Sequence, residues 1–275
     1  MTTCVIDVND IELRAALNGE VAAASPGVAC LVDGQVELGA RALAEARRHP
    51  RASENRFWRD LNTAPLTRLG RRVRHHADLA WLHLEHLRTL ARLPQEAVFA
   101  VPGSLSAEQL SLLLGIAQAS HWRPLALVDA AVAAGAAELG PGRWAHVDLQ
   151  QHQAVVSGLE VGERVTRGTV EVLPGLGQNA LRDACVAAIT AAFVSHCRFD
   201  PLHHAESEQL LHDRLPDWLD QLASSSEIRV QLDHRGRHFD TRIERAALVG
   251  AAAPLLAKLR AALPAGWRPV ASHRL

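Results

Sequence analysis

At 275 residues, with 48% hydrophobic and 21% charged side chains, the chain exceeds the usual single-domain size and can bury a sizeable core, which excludes a disordered protein. Its formal net charge of −1 excludes the basic footprint of a dedicated nucleic-acid binder. Arginines are balanced by acids and belong on solvated helix faces.

The first 40 residues read as short strands: "TCVIDV", "IELRAAL", "GEVAAAS", "GVACLVD" and "QVELG". They are separated by Asn-Asp, Asn-Gly, Ser-Pro-Gly and Asp-Gly. Asn18-Gly19 and Asp33-Gly34 are hairpin turns, because both pairs tolerate positive φ. "ARALAEARRH" reads as a helix closed by Pro50, and the stretch from Pro50 to Arg74 as polar and irregular, anchored by Phe57 and Trp58. Leucines at helical spacing predict a helix over "HADLAWLHLEHLRTLARL", stopped by Pro94. "EAVFAVPG" is a buried strand, followed by a helix N-capped at Ser106 with Gln109 completing a capping box. "PLALVD" is a strand and "AAVAAGAAEL" a small-residue helix.

Gly140-Pro141-Gly142 is the best boundary in the chain. Beyond it the opening pattern recurs as "WAHVDLQ", "HQAVVSGLE" and "RVTRGTVEVL". A helix follows over "NALRDACVAAITAAFVSHC", then helical pieces over 200–224 interrupted by Pro201 and Pro216. A hairpin turns around His234-Arg235-Gly236, and "ERAALVGAAAPLLAKLRAAL" is a final helix. Each half opens with a meander whose first strand delivers an aspartate, Asp7 or Asp148, to a turn. Such a duplication implies two similar lobes that aim strand turns at a cleft between them.

The four cysteines lack CxxC spacing and read as buried thiols of a reducing compartment. No signal peptide is evident, and apolar runs break before the roughly 18 residues of a membrane span. These features predict a cytoplasmic protein without a membrane span. The scarcity of lysine (Lys258 alone) and the heavy Ala, Leu and Arg usage fit a GC-rich genome.

This order of elements resembles the actin/DnaK-type ATPase superfamily, and most of all the nucleotide-binding domain of DnaK-type heat-shock chaperones. "VIDVNDIEL" is similar to the family's first phosphate loop and "HVDLQQHQAVVSGLE" to its second. "FAVPGSLSAEQLSLLLGIAQASHWRPLALVDAAVAAGAA" resembles its Val-Pro-Ala to Glu-Pro-Thr-Ala stretch, and "VEVLPGLGQNALRDA" its Leu-Gly-Gly turn. The resemblance implies an α/β fold of two ribonuclease-H-like lobes with mixed sheets, over 1–141 and 142–275, the second with an insertion near 200–243. It also implies Mg²⁺ held through water by Asp7 and Asp148, ATP or ADP near Asn9 and Gln150, and Asp129 orienting the attacking water.

The departures are specific. Glycines that admit phosphates in both family loops are replaced, at Val8-Asn9-Asp10 and at Leu149-Gln150-Gln151-His152. The family's lysine has no counterpart, and its adenosine turn is missing beyond Val270–Leu275. The expected function is therefore a degenerate member with weak or no ATP hydrolysis, binding ATP or ADP with Mg²⁺ weakly or not at all, and serving as a binding or scaffold component for a protein partner. A divergent Mg-dependent ATPase or chaperone-like nucleotide binder is the alternative. A nicotinamide oxidoreductase is the second alternative, because Gly175-Leu-Gly177-Gln-Asn-Ala180 matches G-x-G-x-x-A between a strand and a helix. A plain strand-to-helix turn is the preferred reading of that motif.

The histidines at His83-x-x-His86 (with Glu85) and in "HCRFDPLHH" lack the CxxC or HExxH spacing of zinc sites and read as solvated or satisfied side chains. G-x-S-x-G is absent, and "PGSLS" reads as a helix cap. The basic run Arg68 to His76 lacks interleaved aromatics and reads as an exposed connector rather than a nucleic-acid site. The leucine-rich helix after it offers a partner-binding face, although core packing explains its leucines as well.

Overall fold

A computed structural model of the chain describes residues 4–271. The protein is a mixed α/β structure with seven α-helices among the described residues. The opening meander forms as read: β1 (Cys4–Val8), β2 (Glu12–Leu17) and β3 (Glu20–Pro26) pair antiparallel in turn. Asn18 and Gly19 both take positive φ, the geometry that matches a two-residue turn to the strand twist. Asp33-Gly34 does the same between β4 (Ala29–Val32) and β5 (Gln35–Leu38).

The helix read over "ARALAEARRH" is much shorter: α1 covers only Gly39–Leu43, and the chain continues in turns to a 3-10 turn at Pro50–Ala52. The reason is a side chain 162 to 166 residues further along the chain. Gln209 donates its amide to the Leu43 carbonyl (3.0 Å) and accepts from the Arg47 N–H (2.8 Å), so it stands between the two groups a continuing helix would have paired directly. The segment from Pro50 to Arg74 is irregular apart from β6 (Ser53–Glu54), which adds to β4. Phe57 and Trp58 are buried there as anchors.

Next come α2 (His76–Leu90), β7 (Glu96–Val101), α3 (Ala107–Ala119), β8 (Arg123–Asp129) and α4 (Ala130–Glu138). The Ser106/Gln109 capping box is formed. β7 pairs parallel to β1, and β8 parallel to β7, giving a five-stranded sheet of order β3-β2-β1-β7-β8.

The second meander is β9 (Gly142–Leu149), β10 (Gln153–Val161) and β11 (Val165–Pro174), again antiparallel. The last strand, β14 (Arg268–Ala271), pairs parallel to β9 and completes the order β11-β10-β9-β14. Both sheets thus repeat one plan: a meander with a parallel strand added beside its first member. The small helix α4 touches strands of both sheets. Residues 1–3 and 272–275, the latter within the Val270–Leu275 stretch read above, lie outside the described residues.

Between β11 and β14 lie α5 (Gln178–Cys197), a 3-10 turn at Pro201–His203, α6 (Ala205–Ser224), the hairpin β12 (Glu227–His234) and β13 (Arg237–Glu244), and α7 (Arg245–Ala262). The expected break at Pro216 does not occur, because α6 runs through it. Leu211, Leu215, Trp218 and Leu222 recur on one face and are buried in a cluster with the hairpin's Ile228, Val230 and Leu232. That packing offsets the roughly 3 kcal/mol an interior proline costs. α5 is the one helix among the described residues long and apolar enough to cross a membrane by composition. Its Cys185, Val186, Ile189 and Phe193 are buried in the same cluster.

Candidate functional site

The chain between β1 and β2 turns without glycine because a side chain takes over the work. Asn9 Oδ1 accepts from the Ile11 N–H (2.9 Å), an Asx turn that closes the bend. The turn between β9 and β10 is closed by the Gln150 N–H on the Gln153 carbonyl (2.9 Å) and by Gln153 Nε2 on Gln150 Oε1 (2.8 Å). A glycine from another segment packs against each turn instead. A Cβ at Gly27 would fall 2.0 Å from the Asp10 carbonyl oxygen, and one at Gly177 would fall 2.5 Å from the Gln151 carbonyl oxygen.

These two turns, about 140 residues apart in sequence, bond to each other. Asn9 Nδ2 donates to Asp148 Oδ1 (3.0 Å), while Gln150 Nε2 donates to Asp148 Oδ2 (2.9 Å). The Gln151 N–H donates to Asp10 Oδ1 (2.6 Å). With its side-chain nitrogen turned inward, Gln151 also donates to the Asp10 and Asn55 carbonyls. Asn9, Asp10, Asp148, Gln150 and Gln153 are all buried. Asp10 Oδ2 is buried with no hydrogen-bond partner. Burial holds the Asp10 carboxyl up to about 7, and the neighbouring Asp148 adds to this while the Gln151 N–H and Arg59 oppose it.

Asp7 and Asp148 are brought together on one cavity of about 210 Å³, with Asn9 and Arg14 also on its wall. This is smaller than the roughly 300–1,000 Å³ of ordinary small-molecule sites. Arg14 was not foreseen; its only signal is the hairpin register, which sets it opposite Asp7. Asp129 does not line the cavity. One of its oxygens caps α4 through the Val132 N–H (3.0 Å), and the other pairs with Arg167 from β11.

Gly175, at φ +73°, makes the tight turn before α5. The first amides of that helix are already engaged: Gln178 N–H on the Gln150 carbonyl (2.8 Å) and Asn179 N–H on the Gln151 carbonyl (3.0 Å). The preceding strand β11 runs antiparallel to its neighbour, unlike a dinucleotide-binding unit.

A second contact joins the same two parts of the chain further out. Besides the Gln209 bridge, Arg47 pairs with Glu208 (3.5 Å). On the same helix the His212 imidazole is held down to about 3 by burial and by the charges of Arg47 and Arg182.

In the two histidine clusters, His83, His196 and Cys197 are engaged in internal hydrogen bonds, while His203 is exposed. His83 is fully buried; Trp58 Nε1 donates to its Nδ1 (2.9 Å), which leaves Nε2 to donate to Ser25 Oγ (2.7 Å). His196 bonds Thr241 (2.5 Å), and Cys197 donates to the Asp240 carbonyl. Among the described residues no group of three or more His, Cys, Asp or Glu is arranged to hold a metal. Cys4, Cys30 and Cys185 are buried thiols, while Cys197 is half-buried.

Compared with known proteins, the chain matches no family model and no curated relative.

Proposed function

We propose that the chain is a degenerate actin/DnaK-like protein of two ribonuclease-H-like lobes, meeting at Pro141-Gly142, that serves as a binding or scaffold component rather than an ATPase. One observation carries this reading: the two turns that would cradle phosphates are hydrogen-bonded to each other through Asn9 and Asp148. A triphosphate needs backbone N–H groups pointing at it. Here the Gln150 and Gln151 N–H groups are spent on the Gln153 carbonyl and Asp10. Asp148 accepts on both oxygens, and Asp10 adds a buried carboxyl beside it. Phosphoryl transfer rests on positioning and charge stabilisation, and this arrangement supplies little of either. The repeated strand order of the two sheets supports the two-lobed architecture.

A divergent Mg-dependent nucleotide binder is the second reading, favoured by the shared cavity of Asp7 and Asp148. Isothermal titration of Mg-ATP and Mg-ADP into the purified protein separates the two. No saturable heat up to millimolar nucleotide is expected. Micromolar binding that disappears in an Asp7→Ala, Asp148→Ala variant would overturn the scaffold reading.

A further inference from the structure

The basic run after Leu66 is not an isolated connector. It forms one wall of a groove of about 520 Å³ whose other walls are β5 and α2. The floor is aliphatic, from Leu31, Val36, Leu69 and Leu82, and Trp81 stands at it 37% exposed. Arg71 and Arg72 line the same groove, both exposed and without a carboxylate partner among the described residues. The one acid in the wall, Asp78, is engaged within its own segment: it accepts from the Arg74 N–H (2.7 Å) and faces the Arg74 and His75 side chains. The groove therefore presents an apolar slot with the exposed guanidinium groups of Arg71 and Arg72 along it.

β5 is an edge strand, hydrogen-bonded only to β4 in the order β5-β4-β6, and its Gln35 and Val36 line the slot. An edge strand offers a row of backbone donors and acceptors to a segment that lies alongside it. Apolar side chains on one face of that segment would fill the slot beside Trp81, and flanking carboxylates would meet Arg71 and Arg72.

We propose that this groove docks an extended peptide segment of a partner protein, with a central aliphatic residue and acidic flanks, added as a strand to β5. The inference supplies a partner chemistry for the scaffold reading but rests on a surface built apart from the cavity of Asp7 and Asp148. Nucleotide titration reports on that cavity and peptide titration on the groove, so the two ideas fail separately.

The test is fluorescence anisotropy with three labelled, end-capped probes: Asp-Glu-Val-Leu-Val-Asp-Glu, Lys-Lys-Val-Leu-Val-Lys-Lys, and Asp-Glu-Gly-Ser-Gly-Asp-Glu. The acidic aliphatic probe is expected to bind at least about tenfold more tightly than either control, a difference of about 1.4 kcal/mol. An Arg71→Glu, Arg72→Glu variant and a Trp81→Ala variant should each weaken it by about tenfold or more, and the charge reversal should restore binding of the lysine probe. All three positions are exposed, and unchanged circular dichroism and thermal melting verify that the variants fold. Equal binding of all probes, or of the first probe to all variants, overturns the proposal. So does sedimentation that reveals a dimer abolished by Trp81→Ala, which assigns the groove to a second copy. Tighter binding of a single-stranded oligonucleotide, lost in the arginine variant, overturns it in favour of nucleic acid.

Discussion

The two sheets repeat one strand plan and are held in place by very different means. In the first, Cys4, Ile6 and Val8 of β1 join a continuous core that runs through Phe57, Trp58, Leu79, Leu84, Leu87, Leu113 and Trp122. In the second, the sheet residues fall into two small groups, Ala145, Val147 and Val156, and Leu149, Ala154 and Leu176. The large cluster of this part lies off the sheet, among α5, α6 and the β12–β13 hairpin. Helix α7 buries only Leu248, leaving Val249 and Leu256 exposed. Leucine-rich α2 and α3 turn most of their apolar residues onto the first core, whereas α7 sets only Leu255 and Leu259 against the second sheet's small groups. A repeated strand order therefore does not dictate where stability is stored.

The largest contrast is expected from the first core. Phe99, fully buried against Trp122 in an edge-to-face pair, should cost about 3–5 kcal/mol as Phe99→Ala, read by urea unfolding. Next in size is a pH effect at the junction between the two parts. From the ordinary carboxylate range up to about pH 7 the folded chain keeps a proton on Asp10 that the unfolded chain has released. Stability from this group is therefore greatest at low pH and is lost as pH rises through that window. Asp10→Asn retains an acceptor for the Gln151 N–H and should stabilise the protein by on the order of 2–4 kcal/mol at about pH 8, with little change near pH 4. Denaturation of both proteins across that range checks the slope. His83 and His212, held down to about 3 mainly by burial, slope the opposite way below about pH 6.5, but they cancel in this comparison.

Asp148→Ala should cost about 2 kcal/mol, because it strands the buried amides of Asn9 and Gln150; the midpoint shift in the same urea assay measures it. Leu256→Ala on α7 should move that midpoint by less than about 0.5 kcal/mol. A large loss there would mean that the exposed face of α7 is covered in solution, and the contrast between the two sheets would narrow.

Much of this was legible in residues close together in the chain. Asn18-Gly19 and Asp33-Gly34 announce their hairpins, because positive φ is a property of a residue and its neighbours. Ser106 and Gln109 announce the start of α3, because a capping box closes over three residues. The repeated meander, with Asp7 and Asp148 at its strand ends, came from the same kind of reading, and the two carboxylates do share a cavity. What no local pattern contains is which distant group fills a vacancy. That Asn9 meets Asp148, that Gln209 interrupts α1, that Trp81 and Arg71 line one groove, and that α6 continues through Pro216 all depend on surfaces assembled by the folded chain. Short-range geometry is set by backbone sterics and bonds a few residues long. The partners of a buried polar group are decided only when tertiary packing removes water and leaves one donor within reach.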